Sequence, residues 1–401
     1  MSQPVVQSPE TNLDALRSLW AWIGRAAERV FQPIELLFYV AVVKQISRLL
    51  DRIDPLSHKI EGTTFKKILQ VSLFPLFMTA TVVIGFQLVK NGYTRQSFLA
   101  SIGMYLIYGA IFMPLERLIP FSRNWLKNPD GSTDVMLLFG NKFCGDWIIE
   151  PLQLATIAIA VQKISPAIGQ SIWPSSLPPV VQVFFLVAVN DFFRYWYHRW
   201  MHENSFMWRW HAVHHSSERL YWFNGTRSHP LERLVSGFLW AIPLAFVKAP
   251  VEIIFVAYLV SRTIGRFQHT NMDVILGPFD YIFSSPKNHR YHHAKNAREG
   301  NTNYGGDVIV WDLLFGTFYL PKGKQPSDDI GIGDMPNYPR SFAGLMLAPF
   351  NHRALQKQMQ APVLETMVVE AVRLSPVSAH FRPKYREKIN KRPEKSPLTC
   401  I

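Results

Sequence analysis

An uncharged run of 22 residues, Ile68–Val89, constrains the fold of this chain more than any other feature of its sequence. As one helix it is long enough to cross a bilayer, since about 20 residues span a hydrocarbon core of roughly 30 Å. Lys66 and Lys67 precede it, which is typical of a cytoplasmic flank. Only 18% of all residues are charged, whereas soluble domains carry about 25%. The sequence therefore predicts an integral membrane protein.

Three further apolar runs precede the histidine-rich part of the chain. Phe98–Leu115 is also uncharged and follows a short loop, so it should form an antiparallel hairpin with the first span. Trp147–Gln162 contains a glutamate and a proline, and Leu177–Asn190 has only 14 residues. Each of these two is either a tilted span or a buried helix, because runs of this length are ambiguous.

A last pair of apolar runs, Leu234–Val247 and Ile253–Val260, is interrupted by Lys248, Pro250 and Glu252. The pair forms either one kinked span or a re-entrant helical hairpin. A charged break at the centre of a bilayer is costly, which favours the hairpin.

Together the runs predict an all-α integral membrane fold. We expect about four transmembrane helices, a kinked or re-entrant helical hairpin at 234–260 and a cytosolic helical cap that carries most of the histidines. The predicted regions are an N-terminal cytosolic or amphipathic segment (1–65), transmembrane helices (66–190), a catalytic region (191–322) and a basic cytosolic tail (323–401).

The basic residues fit this topology. The formal net charge is +13, and segment 191–233 alone contains six arginines. Positive flanks belong on the cytoplasmic side of a membrane, so this explanation makes a nucleic-acid partner unnecessary. With Cys144 and Cys400 as its two cysteines, the chain cannot build a disulfide framework.

Ten of the 13 histidines lie between His198 and His293. His198 and His202 are four residues apart, a spacing that places both imidazoles on one helical face. Two HxxHH patterns follow, each again on one face. Their members are His211, His214 and His215 in the first and His289, His292 and His293 in the second.

Repeated ligand spacing of this kind predicts a metal site. One such pair is common by chance, but three groups have no evident structural use. Eight nitrogens exceed the four ligands of a zinc site and the six of an octahedral site, so the count implies two metals. Imidazole suits zinc, iron, copper and nickel, and ligand type alone leaves the metal open.

Other residues near the motifs are weaker candidates. His269 could provide a ninth ligand, whereas His229 is more often a structural residue, and His58, His352 and His380 are expected at the surface. Asp191 lies two helical turns before His198 and could orient that ring. Glu203 is a further support candidate, while Glu218 fits a surface acid better.

The ordered motifs HRWMH, HAVHH and NHRYHH resemble the fatty acid hydroxylase/sterol desaturase superfamily of membrane-bound histidine-box oxygenases. DFFRYWYHR, HHSSE, LGPFDYIFSSPKNHRYHH and WDLLFGTF are also similar to family patterns, over about residues 100–350. HHSSE and the FGT stretch are nearest in look to alkylglycerol monooxygenase and bacterial sterol-desaturase-like proteins.

The resemblance implies an O₂-dependent di-iron oxidoreductase that hydroxylates or desaturates a lipid C–H bond. Its substrate would be a membrane lipid such as a sterol, a fatty acyl chain, an ether lipid or an aminolipid. The eight motif histidines carry over as metal ligands, His269 matches a further ligand position, and Asn271 and Asn303 match recurring supporting positions.

The resemblance also implies an external electron donor. The sequence contains no nucleotide fingerprint, haem attachment motif or iron–sulfur cysteine set, so a reductase, a small electron carrier or a pterin must supply electrons. The histidine boxes would face the cytosol, in the inner or plasma membrane of a bacterium or the endoplasmic reticulum membrane of a eukaryote.

Two alternatives use the same histidines. A dinuclear zinc hydrolase could cleave a membrane ester with metal-bound hydroxide, although no carboxylate lies within the three motifs. A non-enzymatic metal-binding membrane protein would need no substrate.

Overall fold

The computed structural model describes residues 9–93, 98–127, 130–144, 173–335 and 337–356, with four isolated positions between 152 and 159. This part of the chain is helical and has no β-strand, only isolated bridges. The all-α prediction is therefore confirmed. The chain divides into two compact units, 1–352 and 353–401, and of the second only 353–356 are described.

The helices of the first unit are numbered in chain order. They are α1 (Pro9–Phe38), α2 (Lys44–Leu50), α3 (Asp54–Ile60), α4 (Thr64–Lys90), α5 (Phe98–Leu118), α6 (Gly131–Cys144), α7 (Pro179–Glu203), α8 (Ser205–His215), α9 (Pro230–Val247), α10 (Val251–Phe267), α11 (Pro286–His292), α12 (Ala297–Gly300) and α13 (Val310–Phe315). A π-helical turn, Tyr39–Val43, joins α1 to α2, and single 3₁₀ turns lie at Asp51–Ile53, Arg123–Leu126, Trp222–Thr226 and Gly277–Tyr281.

The first two predicted spans are helices. Ile68–Val89 lies within α4, which Thr63 caps by accepting a hydrogen bond from the backbone N–H of Lys66 at 3.3 Å. Phe98–Leu115 lies within α5. Phe77 of α4 packs against Phe112 of α5 with ring centroids 4.9 Å apart. Thr81, further along α4, and Tyr108, earlier in α5, share hydrogen bonds with Thr263. The order of these contacts confirms the antiparallel arrangement.

The next two runs have different outcomes. Trp147–Gln162 lies mostly outside the described residues. Leu177–Asn190 becomes the first half of α7, which continues without a break to the first histidine motif. Val183, Leu186 and Val187 of this half are buried in the hydrophobic core. Inside this fold the run therefore behaves as a packed helix.

The runs at 234–260 form two helices rather than one kinked span. α9 ends at Val247, and α10 begins at Val251. Lys248 between them adopts a left-handed conformation with φ of 51°, and Pro250 precedes the first residue of α10 and cannot donate a backbone hydrogen bond. The structure therefore favours two helices over one kinked span, and their packing as a re-entrant hairpin stays a prediction.

The core forms around α10. One face of α10 packs on α4 and another on α7. Gly85 of α4 allows this approach, because a Cβ there would lie 3.1 Å from Cγ1 of Val256. Phe267 at the end of α10 packs against Phe74 and Phe112. Phe267 lies only two residues before His269 in the chain. The packing of the core therefore fixes the position of the His269 ring.

Two helical stretches among the described residues are long and apolar enough to cross a membrane. One is Thr64–Lys90, as the sequence predicts. The other is Trp22–Ile60, very little of which is buried, and it lies in the segment that the sequence assigns to the cytosol. The number of membrane crossings therefore depends on this segment as well as on α4.

Candidate metal centre

Three helical segments carry the predicted ligands. α7 carries His198 and His202 in its last two turns. α8 starts only two residues later because Asn204 caps it, accepting hydrogen bonds from the backbone N–H groups of Phe206 and Met207 at 3.0 and 3.1 Å. α11 is capped by Ser285 and has a proline at its first position. These two caps fix the directions of the short helices α8 and α11, whose histidines face those in the last turns of α7.

The nine histidines form two groups. Within each group the ligand nitrogens lie within 4.8 Å of one another. Group one consists of His198, His202, His211, His215 and His292, and group two consists of His214, His269, His289 and His293. Neither group contains a carboxylate. The HxxHH motifs are thus divided between the groups: neighbours in sequence, such as His214 and His215, point to different sites.

In group one, two rings present a nitrogen without a proton to the centre of the group. Nδ1 of His198 donates to the carbonyl of Tyr304 at 2.7 Å, and Nδ1 of His292 donates to the carbonyl of Thr302 at 2.8 Å. A neutral imidazole has only one N–H, so these bonds leave Nε2 of both rings as acceptors. Nε2 of His198 lies 2.9 Å from Nε2 of His211, and Nε2 of His292 is buried without a partner.

Group two has the same construction. Nδ1 of His214 donates to the carbonyl of Arg227 at 2.9 Å, and Nδ1 of His269 donates to the carbonyl of Gly265 at 2.8 Å. Their two Nε2 atoms, both without a proton, face each other at 3.4 Å. Nε2 of His289 lies 2.9 Å from that of His269. Converging lone pairs repel one another unless a cation lies between them, so the donor set fits a metal ion.

Burial keeps these rings neutral. It lowers the pKa of His214 to about 4 and lowers the pKa of each of the other eight well below the usual range. Only a deprotonated nitrogen can bind a metal. Both groups are therefore ready to accept cations at neutral pH.

Glu232 is a supporting residue that the sequence analysis missed. It lies in the first turn of α9, 8% exposed, and its Oε1 is 2.9 Å from Nδ1 of His211. Burial raises the pKa of Glu232 to about 8, and a cation on the far nitrogen of His211 would favour its ionised form. Nothing in the spacing of RSHPLE indicates this contact, because 21 residues separate the two side chains.

Asp191 does not contact His198, contrary to the sequence prediction. Its carboxylate instead accepts hydrogen bonds from the backbone N–H groups of Gly306, Asp307 and Val308 at 3.0, 2.9 and 3.1 Å. Helical periodicity indicates which face of α7 Asp191 shares with His198. It cannot indicate contact with a loop that is over 100 residues later in the chain. Asp191 supports His198 indirectly, since that loop presents the Tyr304 carbonyl.

Asp312 completes this support. It is fully buried and accepts from the backbone N–H groups of Tyr304 and Gly305, both at 2.7 Å. Gly305 must be a glycine, because a Cβ there would lie 2.1 Å from the backbone carbonyl oxygen of Val308. The loop that orients His198 is therefore fixed by two buried acids and a close backbone approach.

The other predicted supports have different contacts. Glu203 is exposed and pairs with Arg199 at 2.8 Å, so the expected support for a histidine is not observed. Asn301 lies 3.1 Å from Nδ1 of His202 in its place. Glu218 pairs with Arg340 at the surface, as expected.

Both asparagines of the resemblance brace ligand-bearing segments without touching a ligand ring. Asn271 exchanges two hydrogen bonds with the backbone of Ser122, at 3.0 and 2.9 Å, and so fixes the segment that carries His269. Asn303, at φ of 55°, donates to the carbonyl of Asn288 at 3.1 Å and ties α11 to the following loop.

The remaining histidines separate by burial. His229 caps α9 by accepting from the backbone N–H of Leu231 at 3.2 Å and lies outside both groups. His58 is exposed, as expected. His352 was expected at the surface, but this is wrong, because its side chain is buried near the end of the helical residues 342–356. His380 lies outside the described residues.

We expect Glu232→Gln and Glu232→Leu to separate two roles of this carboxylate, which are to orient the His211 ring and to supply a negative charge beside it. Glutamine can still accept from His211, whereas leucine cannot, and loss of such a support typically weakens metal binding by about 10- to 100-fold. Titration of the metal-free protein with Fe²⁺ should show weaker binding in both variants and the larger loss in Glu232→Leu. Glu203→Gln provides the matched control and should bind as the wild type does. Equal affinity in Glu232→Leu and the wild type would contradict the role of Glu232.

The comparisons with known proteins agree with the geometry. Residues 183–317 match the family model described as fatty acid hydroxylase, a range that includes all nine histidines. Ornithine lipid hydroxylase OlsE of Rhizobium tropici is 34% identical over 266 residues, which are 62% of this chain and 75% of that protein.

Two further relatives match a shorter part. Alkylglycerol monooxygenase of Homo sapiens is 36% identical over 135 residues, 33% of this chain and 30% of that protein. Methylsterol monooxygenase 1 of Rattus norvegicus is 27% identical over 133 residues, 32% of this chain and 44% of that protein. The aligned part is thus less than half of each of these two proteins. No solved structure matches the chain significantly.

Proposed function

From the premise that the chain belongs to the fatty acid hydroxylase superfamily, we propose that it is a membrane-bound, O₂-dependent di-iron enzyme that hydroxylates a lipid C–H bond. Desaturation is the other outcome that the sequence leaves open. The similar proteins are named as hydroxylases and monooxygenases of an ornithine lipid, alkylglycerols and a methylsterol. Their names favour a lipid substrate and an alcohol product.

The single observation that carries the proposal is the division of nine imidazoles, six of them buried and three half-buried, into two adjacent groups. His215 of group one and His293 of group two have ring centroids only 4.3 Å apart, so two ions held by these groups would be neighbours. All-nitrogen groups without a carboxylate are unlike the carboxylate-bridged site expected of a dinuclear hydrolase. This composition supports the oxygenase over the zinc alternative.

The residues fit the implied irons. His198, His202, His211, His215 and His292 would hold one ion, and His214, His269, His289 and His293 the other. When bound, the irons would supply the oxygen chemistry that attacks an unactivated C–H bond, for which amino acid side chains have no suitable group. The backbone carbonyls at Tyr304, Arg227, Gly265 and Thr302 orient four of the rings through Nδ1.

Trp208 shields part of group one from water. Trp208 packs against His202 and His215, with ring centroids 5.1 and 5.4 Å apart. Trp222, another aromatic residue near the motifs, is buried in the core against Phe112. Trp196 and Phe206 remain exposed, and we propose that they contact the interface of the bilayer, where such rings are enriched.

We propose that the chain is integral to a membrane with the histidine groups on the cytosolic side, the hairpin α9–α10 entering the bilayer from that side. Apolar, exposed faces of α4 support this placement. A crossing by Trp22–Ile60 would move the N-terminus to the opposite side without moving the histidines. Electrons would come from a separate reductase, a small carrier or a pterin.

The decisive experiment combines metal analysis and isotope labelling. Protein purified without oxygen should contain about two irons per chain, since five- and four-nitrogen groups are each enough for one ion. Incubation with membrane lipid extract, ¹⁸O₂ and a reductant should give a lipid heavier by one ¹⁸O atom. Zinc in place of iron, together with lipid cleavage that does not need oxygen, would contradict the proposal. Metal binding without any lipid change would favour a non-enzymatic protein.

A further inference from the structure

Three arginines form a cluster where α5, α9 and α10 meet. Arg233 lies in the first turn of α9, and Arg262 and Arg266 lie one turn apart near the end of α10. Arg233 is within electrostatic range of the other two. The side chain of Arg266 is only 4% exposed, whereas the other two are partly exposed. The cluster thus extends from the interior to the molecular surface.

No carboxylate of the described residues forms an ion pair with any of the three. Two acids act on them electrostatically, and each already has other partners. Asp307 accepts from Arg194 and from Ser261, both at 2.6 Å. Glu232 faces His211 at 2.9 Å. The positive charge of the cluster is therefore not balanced by the residues described.

The groups that do contact the arginines are the aromatic side chains of tyrosines. Arg266 donates to the hydroxyl of Tyr105, and its Cζ lies 4.5 Å from the centroid of that ring. Arg262 lies over Tyr258 at 4.8 Å. Nε of Arg266 is buried without an acceptor. Aromatic rings attract cations weakly, but they cannot cancel the charge.

The position in the fold makes this imbalance costly. Thr263, next to Arg262, bonds Thr81 at 3.0 Å, and Thr81 lies near the middle of α4, the candidate membrane span. An ionised side chain at such a depth is expensive unless it pairs with an opposite charge or performs a function. A cluster of three, unpaired with any acid of the described residues, fits an anionic ligand.

The cluster also adjoins group two. Gly225 lies beside both the arginine cluster and group two. A Cβ on this residue would be 3.2 Å from Nδ1 of His269 and 3.4 Å from Nη1 of Arg266. An anion bound by Arg266 would therefore stand beside the metal-binding rings, and a chain attached to that anion would be held at a fixed distance from them.

We propose that Arg233, Arg262 and Arg266 bind the anionic group of the lipid substrate, a carboxylate or a phosphate. This inference rests on the proposed function and deepens it, because it gives the substrate class as anionic lipids. The arginines would set which carbon of the lipid reaches the metal groups.

The test measures binding rather than turnover. Full-length protein in an uncharged detergent is titrated calorimetrically with three amphiphiles that share a twelve-carbon chain: laurate, dodecyl phosphate and dodecanol. We expect laurate, dodecyl phosphate or both to bind at least about tenfold more tightly than dodecanol, since each charge-assisted bidentate contact is strong. Preference for laurate would identify a carboxylate, and preference for dodecyl phosphate would identify a phosphate. Equal binding of all three would overturn the proposal.

Matched variants locate the site. Arg262→Gln and Arg233→Gln, at partly exposed positions, should each weaken anion binding about tenfold, and Arg262→Lys should restore part of the loss because it keeps the charge. Arg52→Gln removes an exposed arginine from the 3₁₀ turn Asp51–Ile53 and should bind as the wild type does. If Arg52→Gln weakened binding equally, the attraction would come from the net charge, and the proposal would be wrong.

The two proposals fail separately. Iron content is measured on the same preparations. Protein without iron that still binds laurate through Arg262 would contradict the di-iron function and leave the anion site standing. Protein with two irons and no preference for anions would contradict the anion site alone.

Discussion

His215→Ala and His293→Ala should each reduce lipid turnover by at least about 100-fold, since even supporting residues of metal sites are worth 10- to 100-fold. Each variant removes one nitrogen from one group, and the stacked rings of these two residues stand where the groups adjoin. Iron per chain, measured by mass spectrometry, should fall below two in both. The helices of the core are formed by other residues, so both variants should still accumulate in the membrane.

His58→Ala is the matched control, because His58 is exposed and far from either motif in the sequence. It should retain full iron content and full turnover. Wild-type turnover in His215→Ala or in His293→Ala would show that the ligand set is wrong at that position.

Asp134→Ala should be among the most destabilising substitutions in the chain. Asp134 of α6 and Arg227 form an ion pair at 2.7 Å, and both side chains have no exposed surface. Removing one partner leaves a buried charge uncompensated, which typically costs about 3–5 kcal/mol of unfolding free energy. The carbonyl of Arg227 also accepts from His214, so we expect weaker metal binding in group two as well. Chemical unfolding in detergent, with and without iron, measures both effects.

Two further variants test whether an uncompensated buried charge causes the loss of stability in Asp134→Ala. Asp329→Ala breaks the more exposed pair with Lys295, at a similar distance of 2.6 Å, and should cost about 1 kcal/mol or less, as surface pairs do. The double variant Asp134→Leu with Arg227→Leu removes both buried charges and should be less destabilised than Asp134→Ala alone. If the double variant were the less stable of the two, desolvated charge would not explain the loss.

The helices were predictable where the signal is local. The run at 68–89 and the histidine spacing in α7, α8 and α11 depend on the chain within a few turns, and each forms the helix that its pattern predicts. The interruption at Lys248 and Pro250 likewise ends one helix and begins another. The long apolar character of Trp22–Ile60 was missed, because scattered charges interrupt it in the sequence.

Support for the ligands was not predictable in the same way. Asp191 was paired with His198 by helical periodicity, but it binds the N–H groups of a distant loop instead. Glu203 was expected beside the histidines, whereas Glu232, 21 residues from its partner, takes that role. Backbone carbonyls orient four rings, and a carbonyl has no identity in the sequence by which it could be recognised.

By itself, the sequence determined the residue type of the candidate metal ligands and the helical faces that the three motifs share, since residue type and spacing along a helix are local properties. Only the tertiary structure decided how nine histidines divide between two groups, and that adjacent residues such as His214 and His215 serve different ones. The physical reason is packing: α10 on α4 and α7 brings His269 and α11 to the ends of α7 and α8. Buried acids then hold in place the loop whose carbonyl orients His198.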